Sequence, residues 1–202
     1  MSTATATAID IQQLLTRKEL LDLFSESEPL KSSTALPQSR LQLVSAENST
    51  QFIHKSRDIQ IRIESLFASA REEIFEDGMQ SQFSRHLLML IRSYGNQAIT
   101  ALTDYILSER ANAEVAAEAL RWIGHINDPS THRDRLWLLE KSLSSSSPRI
   151  RDGAGLGLAF LDDPHAIPYL IRAVERENYT ELRADLKQVI SQLGNTKQCR
   201  SF

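Results

Sequence analysis

The sequence predicts an all-α protein: an α-solenoid of about four helical hairpins, preceded by a tethered amphipathic helix. Three observations predict it. Apolar residues recur at the 3.6-residue period of a helix through the chain after residue 55. One stretch, Ser147–Pro164, returns at fixed shifts along the sequence. The returns close on similar two-residue punctuation, Asp-Pro or Gly-Asn.

Ser147–Pro164 reads SPRIRDGAGLGLAFLDDP. Ile150, Ala154, Gly157, Leu158 and Leu161 fall on one helical face. Pro148 sits in the first turn, where its missing N–H costs nothing. Asp163-Pro164 stops the helix, because the residue before a proline avoids the α region. Leu170 and Val174 then start a second apolar stripe. A helix, a tight turn and a helix cannot bury their apolar face alone, so the unit needs copies.

The copies are in the sequence. At a shift of 35 residues back, Val115, Ala119, Ile123 and Ile126 stand for Ile150, Ala154, Leu158 and Leu161, and Asp128-Pro129 for Asp163-Pro164. At 32 forward, Leu182, Leu186, Ile190 and Leu193 follow the same spacing, closing on Gly194-Asn195. At 67 back, Phe83, Leu87, Ile91 and Tyr94 follow it, closing on Gly95-Asn96. Second helices are therefore expected near 80–94, 112–126, 147–161 and 179–193, with first helices near 97–109, 131–143 and 165–176. The outer copies are degenerate, as polar ends of a stacked array require.

Before the array, Ile11, Leu14, Leu15, Leu21 and Phe24 predict a short amphipathic helix over 9–24. Ser25–Thr50 is rich in Ser, Glu, Pro and Thr and reads as a flexible polar linker. Ile59, Ile61, Ile63, Leu66, Phe67, Ala70 and Ile74 predict a helix from Ser56 that Gly78 ends and that pairs with 80–94. Two parts result: 1–54, the tethered helix and linker, and 55–202, the solenoid with a short polar C-terminal tail.

Residues Ser147–Pro164 resemble one half of a HEAT repeat, of the HEAT-like class named after the phycobilisome lyases, whose pattern is D-P-x-V-R-x-A-A-x-x-A-L-G-x-L-G-D-P. Pro148, Ile150, Arg151, Ala154, Leu158, Leu161, Asp163 and Pro164 stand at pattern positions. Ser147 replaces the first Asp, Gly153 and Gly157 replace alanines, and Ala159 and Asp162 replace glycines. The resemblance spans Gln80–Asn195 and implies a right-handed α-solenoid whose second helices line a concave side. It also implies two alternatives to plain protein binding. The class includes bilin lyase-type subunits that attach or detach phycobilisome chromophores, and some HEAT-like folds grip nucleic-acid backbones.

Composition narrows the classes. No apolar run approaches the roughly 20 residues of a membrane span, and the first residues lack a secretory leader's basic and apolar regions. A lone cysteine, Cys199, cannot form an internal disulfide and fits a reducing cytoplasm. Residues 80–202 carry 15 basic and 14 acidic side chains, without the excess that nucleic-acid binding wants. Gly153-x-Gly155-x-Gly157 follows no strand and is not a dinucleotide fingerprint. His125, His132 and His165 fall near repeat turns without helix-ligand spacing. Catalytic residues, a metal and a cofactor are accordingly not expected, and Trp122 and Trp137 are read as core.

The expected site is the face of the second helices opposite their core stripe. With Ile150 as the core direction, Asp152, Gly155, Leu156 and Ala159 point away. Their counterparts include Leu120, Arg121 and Gly124 in the copy before, Arg85, Leu88, Met89 and Arg92 in the first, and Lys187 in the last. Leu88, Met89, Leu120, Gly124, Gly155, Leu156 and Ala159 are expected to form a continuous apolar ridge, bordered by Arg85, Arg92 and Arg121 at one end and Lys187 at the other. Such a ridge fits a protein partner, an amphipathic acidic segment in particular. The expected role is a non-catalytic adaptor.

Overall fold

The first helix of the array stops where a carboxylate is needed elsewhere. In the computed structural model, which describes residues 55–76 and 78–199 with side chains to Thr196, helix α1 covers 55–69. Glu73 then leaves the helical path and accepts the backbone N–H of Gln82 at 2.7 Å and of Phe83 at 3.2 Å. A negative side chain on the orphan donors of a helix start is a favourable use of it. The expected end of α1 at Gly78 is therefore corrected to residue 69, and Ile74, read as part of the core stripe, is 85% exposed. Ile61 is exposed too, while Ile59, Ile63, Phe67 and Ala70 are buried. The helix expected over 9–24, the linker after it and the last three residues of the tail lie outside the described residues.

The helices that follow match the expected series closely. They are α2 (Gln82–Tyr94), α3 (Asn96–Leu107), α4 (Ala113–Gly124), α5 (His132–Ser142), α6 (Pro148–Leu161), α7 (Ile167–Arg176) and α8 (Thr180–Cys199). No strand occurs among the described residues. Local chemistry sets the ends. The Ser81 hydroxyl caps α2 by accepting the Ser84 N–H at 3.0 Å, and Asn112 caps α4 through the N–H of Glu114. Gly95, at φ 54°, is the single residue between α2 and α3. Pro148 opens α6; Asp162, at φ 51°, closes it in the left-handed region, and a short 3₁₀ turn, Pro164–Ala166, leads into α7. The last helix departs from expectation. It runs through Gly194-Asn195 to Cys199 because Gly194 does not turn left-handed, and the Thr196 hydroxyl donates to Asp162 at 2.9 Å.

Paired as α1–α2, α3–α4, α5–α6 and α7–α8, the helices form an α-solenoid of helical hairpins. The second helices α2, α4, α6 and α8 lie side by side in that order, with α3 beside α5 in the other layer. The core between the layers is one apolar cluster, from Ile59 and Ile63 of α1 to Leu186 and Leu193 of α8. Phe67 meets Phe83 edge-on at 5.1 Å and Tyr105 at 5.0 Å, so one α1 side chain ties α1 to both α2 and α3.

One buried and one partly exposed guanidinium group organise the turns. Arg135, fully buried at the start of α5, donates to the carbonyls of Ile123 at 3.1 Å and Asp128 at 3.0 Å and to the Thr131 hydroxyl at 3.1 Å. It thereby ties the last turn of α4 to the loop that leads into α5. Arg151 forms a two-pronged pair with buried Glu177 at 2.8 and 2.9 Å and also reaches the carbonyl of Ser145. Glu177 in turn accepts the N–H groups of Asn178 and Tyr179 just before α8, and its own carbonyl accepts from Arg183. The Arg151 pair first, then the Tyr179 and Asn178 N–H groups, hold the Glu177 carboxyl below its ordinary range against the opposing effect of burial.

Candidate functional site

A helix in a stacked layer has two neighbours as well as a core side, so only a narrow strip of it can face solvent. This decides where the expected site residues lie. In α4 every residue from Val115 to Gly124 is buried. Leu120 is 0% exposed, and a Cβ on Gly157 of α6 would come within 2.5 Å of the Leu120 carbonyl. A Cβ on Gly124 would fall 2.1 Å from the Gly157 carbonyl. Gly155 is buried against Leu186 of α8. Leu120, Gly124 and Gly155 therefore belong to joints between helices, and the continuous ridge expected from the sequence is corrected to two separate patches.

Arg121 is corrected as well. It is buried and ion-paired to Glu118 at 2.7 Å, so it is not an exposed basic border. The other Glu118 oxygen accepts the Trp122 indole N–H at 2.6 Å. This buried polar set was not anticipated. Its signal is Glu118-x-x-Arg121-Trp122 inside an Ala-rich helix, where side chains three and four apart share a face.

The first patch lies on α2. Arg85, Leu88, Met89 and Arg92 line one shallow depression with His86 and Gln82. Met89 is 53% exposed, and Arg85 and Arg92 are exposed. The second patch is a cleft of about 180 Å³ between α6 and α8, into which Asp152, Gly155, Leu156 and Ala159 all face. Leu156, at its edge, is 38% exposed. Lys187 is exposed on α8 but does not line this cleft; Asp185 does.

Between the patches, near the ends of α4 and α6, an aromatic set escaped the sequence reading. The His125 ring stacks on Phe160 at 3.6 Å and lies 4.8 Å from Trp122. Phe160 is 48% exposed. Burial, then the Arg121 charge, pushes the His125 imidazole below its ordinary value. On the exposed side of α6, Arg149 pairs with Glu114 of α4 at 2.7 Å and with Asp152 at 3.1 Å.

The turn histidines gather in part. His132 and His165 each hold one oxygen of Asp163, both at 2.7 Å. Burial raises the Asp163 carboxyl, and these hydrogen bonds more than reverse it, leaving it below its ordinary value. Among the described residues no group of three or more His, Cys, Asp or Glu could hold a metal ion. Trp122 is buried as expected, but Trp137 is not core: it is 47% exposed on α5, beside Thr100 and Asp104 of α3, with the Lys141 ammonium 5.5 Å from its ring. The core side of α5 is taken by Arg135, Leu138, Leu139 and Ser142, and Trp137 points elsewhere.

Residues 99–191 match the family model for HEAT repeats, from α3 through most of α8. The match supports a HEAT-repeat protein and leaves the first hairpin, one of the two degenerate outer copies, outside its span. No curated protein and no solved structure matches the chain.

Proposed function

We propose, starting from a chain whose residues 99–191 match the HEAT-repeat model, that it is a non-catalytic adaptor holding a protein partner on the exposed face of its second helices. On this reading the solenoid is right-handed and that face is its concave side. The observation that carries the reading is the exposure of Met89, Leu156 and Phe160, with Leu88 beside Met89, on second helices whose core faces are packed inward. Large apolar groups left in water on a rigid, repeated face are what a protein-binding surface offers. Near α2 the exposed Arg85 and Arg92 favour an acidic stretch of the partner. No described helix is long and apolar enough to cross a membrane, and the single cysteine fits a cytoplasmic setting.

The test is capture of partners from native lysate by tagged full-length chain, beside Met89→Glu and Leu156→Glu variants. Both positions are exposed, so circular dichroism should show both variants folded. A partner held by the unaltered chain and lost from the folded variants supports the reading. A partner held equally by all three overturns it.

A further inference from the structure

The cleft between α6 and α8 has a chemistry of its own. Its apolar lining is aliphatic: Leu156 and Ala159 from α6, Leu182, Leu186 and Val189 from α8. Its volume, about 180 Å³, admits a branched aliphatic side chain. Of the two glutamines at its rim, Gln188 and Gln192, the second already donates its amide to the Ala159 carbonyl at 2.8 Å. The charged residues that line the cleft are both acidic, Asp152 and Asp185. Arg149 answers Asp152 at 3.1 Å. Asp185 is exposed and makes no ion pair among the described residues, and Glu181 stands one turn before it on α8.

We infer that this cleft takes an aliphatic anchor side chain from a partner segment that carries a lysine or arginine within one helical turn of the anchor. The inference rests on the protein-binding reading above and sharpens it. The α2 patch, with Arg85 and Arg92, selects acidic residues, while the α6–α8 cleft selects a basic one. The partner is therefore charged in opposite senses at its two contacts, and complementary charge fixes which way round it lies. An apolar anchor flanked by a charge one turn away is how an amphipathic helix is read by a groove.

The experiment pans a displayed random 16-residue peptide library on the immobilised full-length chain. The expected consensus is Leu, Ile or Val with Lys or Arg three or four residues away. The best peptide, made synthetically, should lose about tenfold or more in affinity against Asp185→Lys, and less against Asp185→Asn. A second panning on Asp185→Lys should enrich Asp or Glu at the same spacing. A consensus without a basic residue, equal binding to Asp185→Lys, or no enrichment on the unaltered chain overturns the inference. Peptides lost on Met89→Glu but unmoved by Leu156→Glu and Asp185→Lys would remove the cleft and leave the interaction face. Binding unmoved by all of these variants would remove both.

Discussion

Helix α6 is held on its two sides by different means. Toward α4 it presents Gly153 and Gly157, and the two backbones come together: a Cβ on Gly153 would lie 2.5 Å from Ala117 main-chain atoms. Toward α8 it presents Gly155, whose missing Cβ leaves room only for the end of the Leu186 side chain. The α4–α6 joint closes along its length. The α6–α8 joint is fastened at its ends, by Arg151–Glu177 at one and by Gln192 and Thr196 at the other, and it stays open between. One run of alternating glycines thus serves two purposes. Where both helices are small the layer becomes solid; where one is large and polar bonds take the load, a cleft remains.

Substitutions at those glycines test the contrast most directly. Gly153→Ala with Gly157→Ala should destabilise the protein by about 3 kcal/mol or more, the overlap with α4 backbone exceeding the gain of roughly 1 kcal/mol each in helix propensity. Urea unfolding measures it, and a net gain in stability would mean the joint is not closed as described. The polar fastening comes next. Glu177→Gln should cost about 2 kcal/mol, short of the ~3–5 kcal/mol typical of breaking a fully buried pair, since Arg151 reaches solvent at its edge.

The same residue predicts an acid limb. Because the Glu177 carboxyl is held low in the folded state, its contribution is complete above its unfolded value. That contribution is lost as pH falls through the folded one. The Glu177→Gln variant should therefore show a shallower loss of stability in acid, and an unchanged limb would count against the Arg151 pair as its source.

Gly155→Ala should change stability by no more than about 1 kcal/mol in either direction. The Leu186 side chain can turn aside, and the helix gains propensity. A loss as large as that of the other glycines would erase the distinction between the joints. The smallest effect belongs to His125, which borders the closed joint through Phe160. Its imidazole is held below its ordinary value, so the unfolded chain takes the proton more readily and stability rises with pH through the window just under 6.5. His125→Phe should keep the stack and flatten that slope in thermal unfolding measured from pH 5 to 7.

The fold was legible because it rests on periodicity and punctuation. Pro148, Gly95 and Asp163-Pro164 each do locally what their covalent structure permits. Helix ends set by a distant partner were not legible: nothing near Ile74 announces that Glu73 will cap α2. The candidate site was readable only in part, for a geometric reason. A period of 3.6 tells which side of a helix is apolar, but not that a second helix has neighbours on both flanks. Met89 and Leu156, on the strip between flanks, were placed correctly on the surface, while Leu120 and Gly124, a fraction of a turn away, were not. Phe160 is hidden in the sequence by its place between Ala159 and the pattern residue Leu161, and Trp137 by its flanks, Leu136 and Leu138.

Arg135 has a consequence for a chain still being made. Every group it bonds, the Ile123 and Asp128 carbonyls and the Thr131 hydroxyl, precedes it in the sequence, none by more than 12 residues. A chain emerging from the ribosome N-terminus first holds all of these partners by the time Arg135 itself appears. The bend from α4 into α5 can then set without waiting for anything downstream, and α6, synthesised later, arrives at a seat already shaped for its glycines.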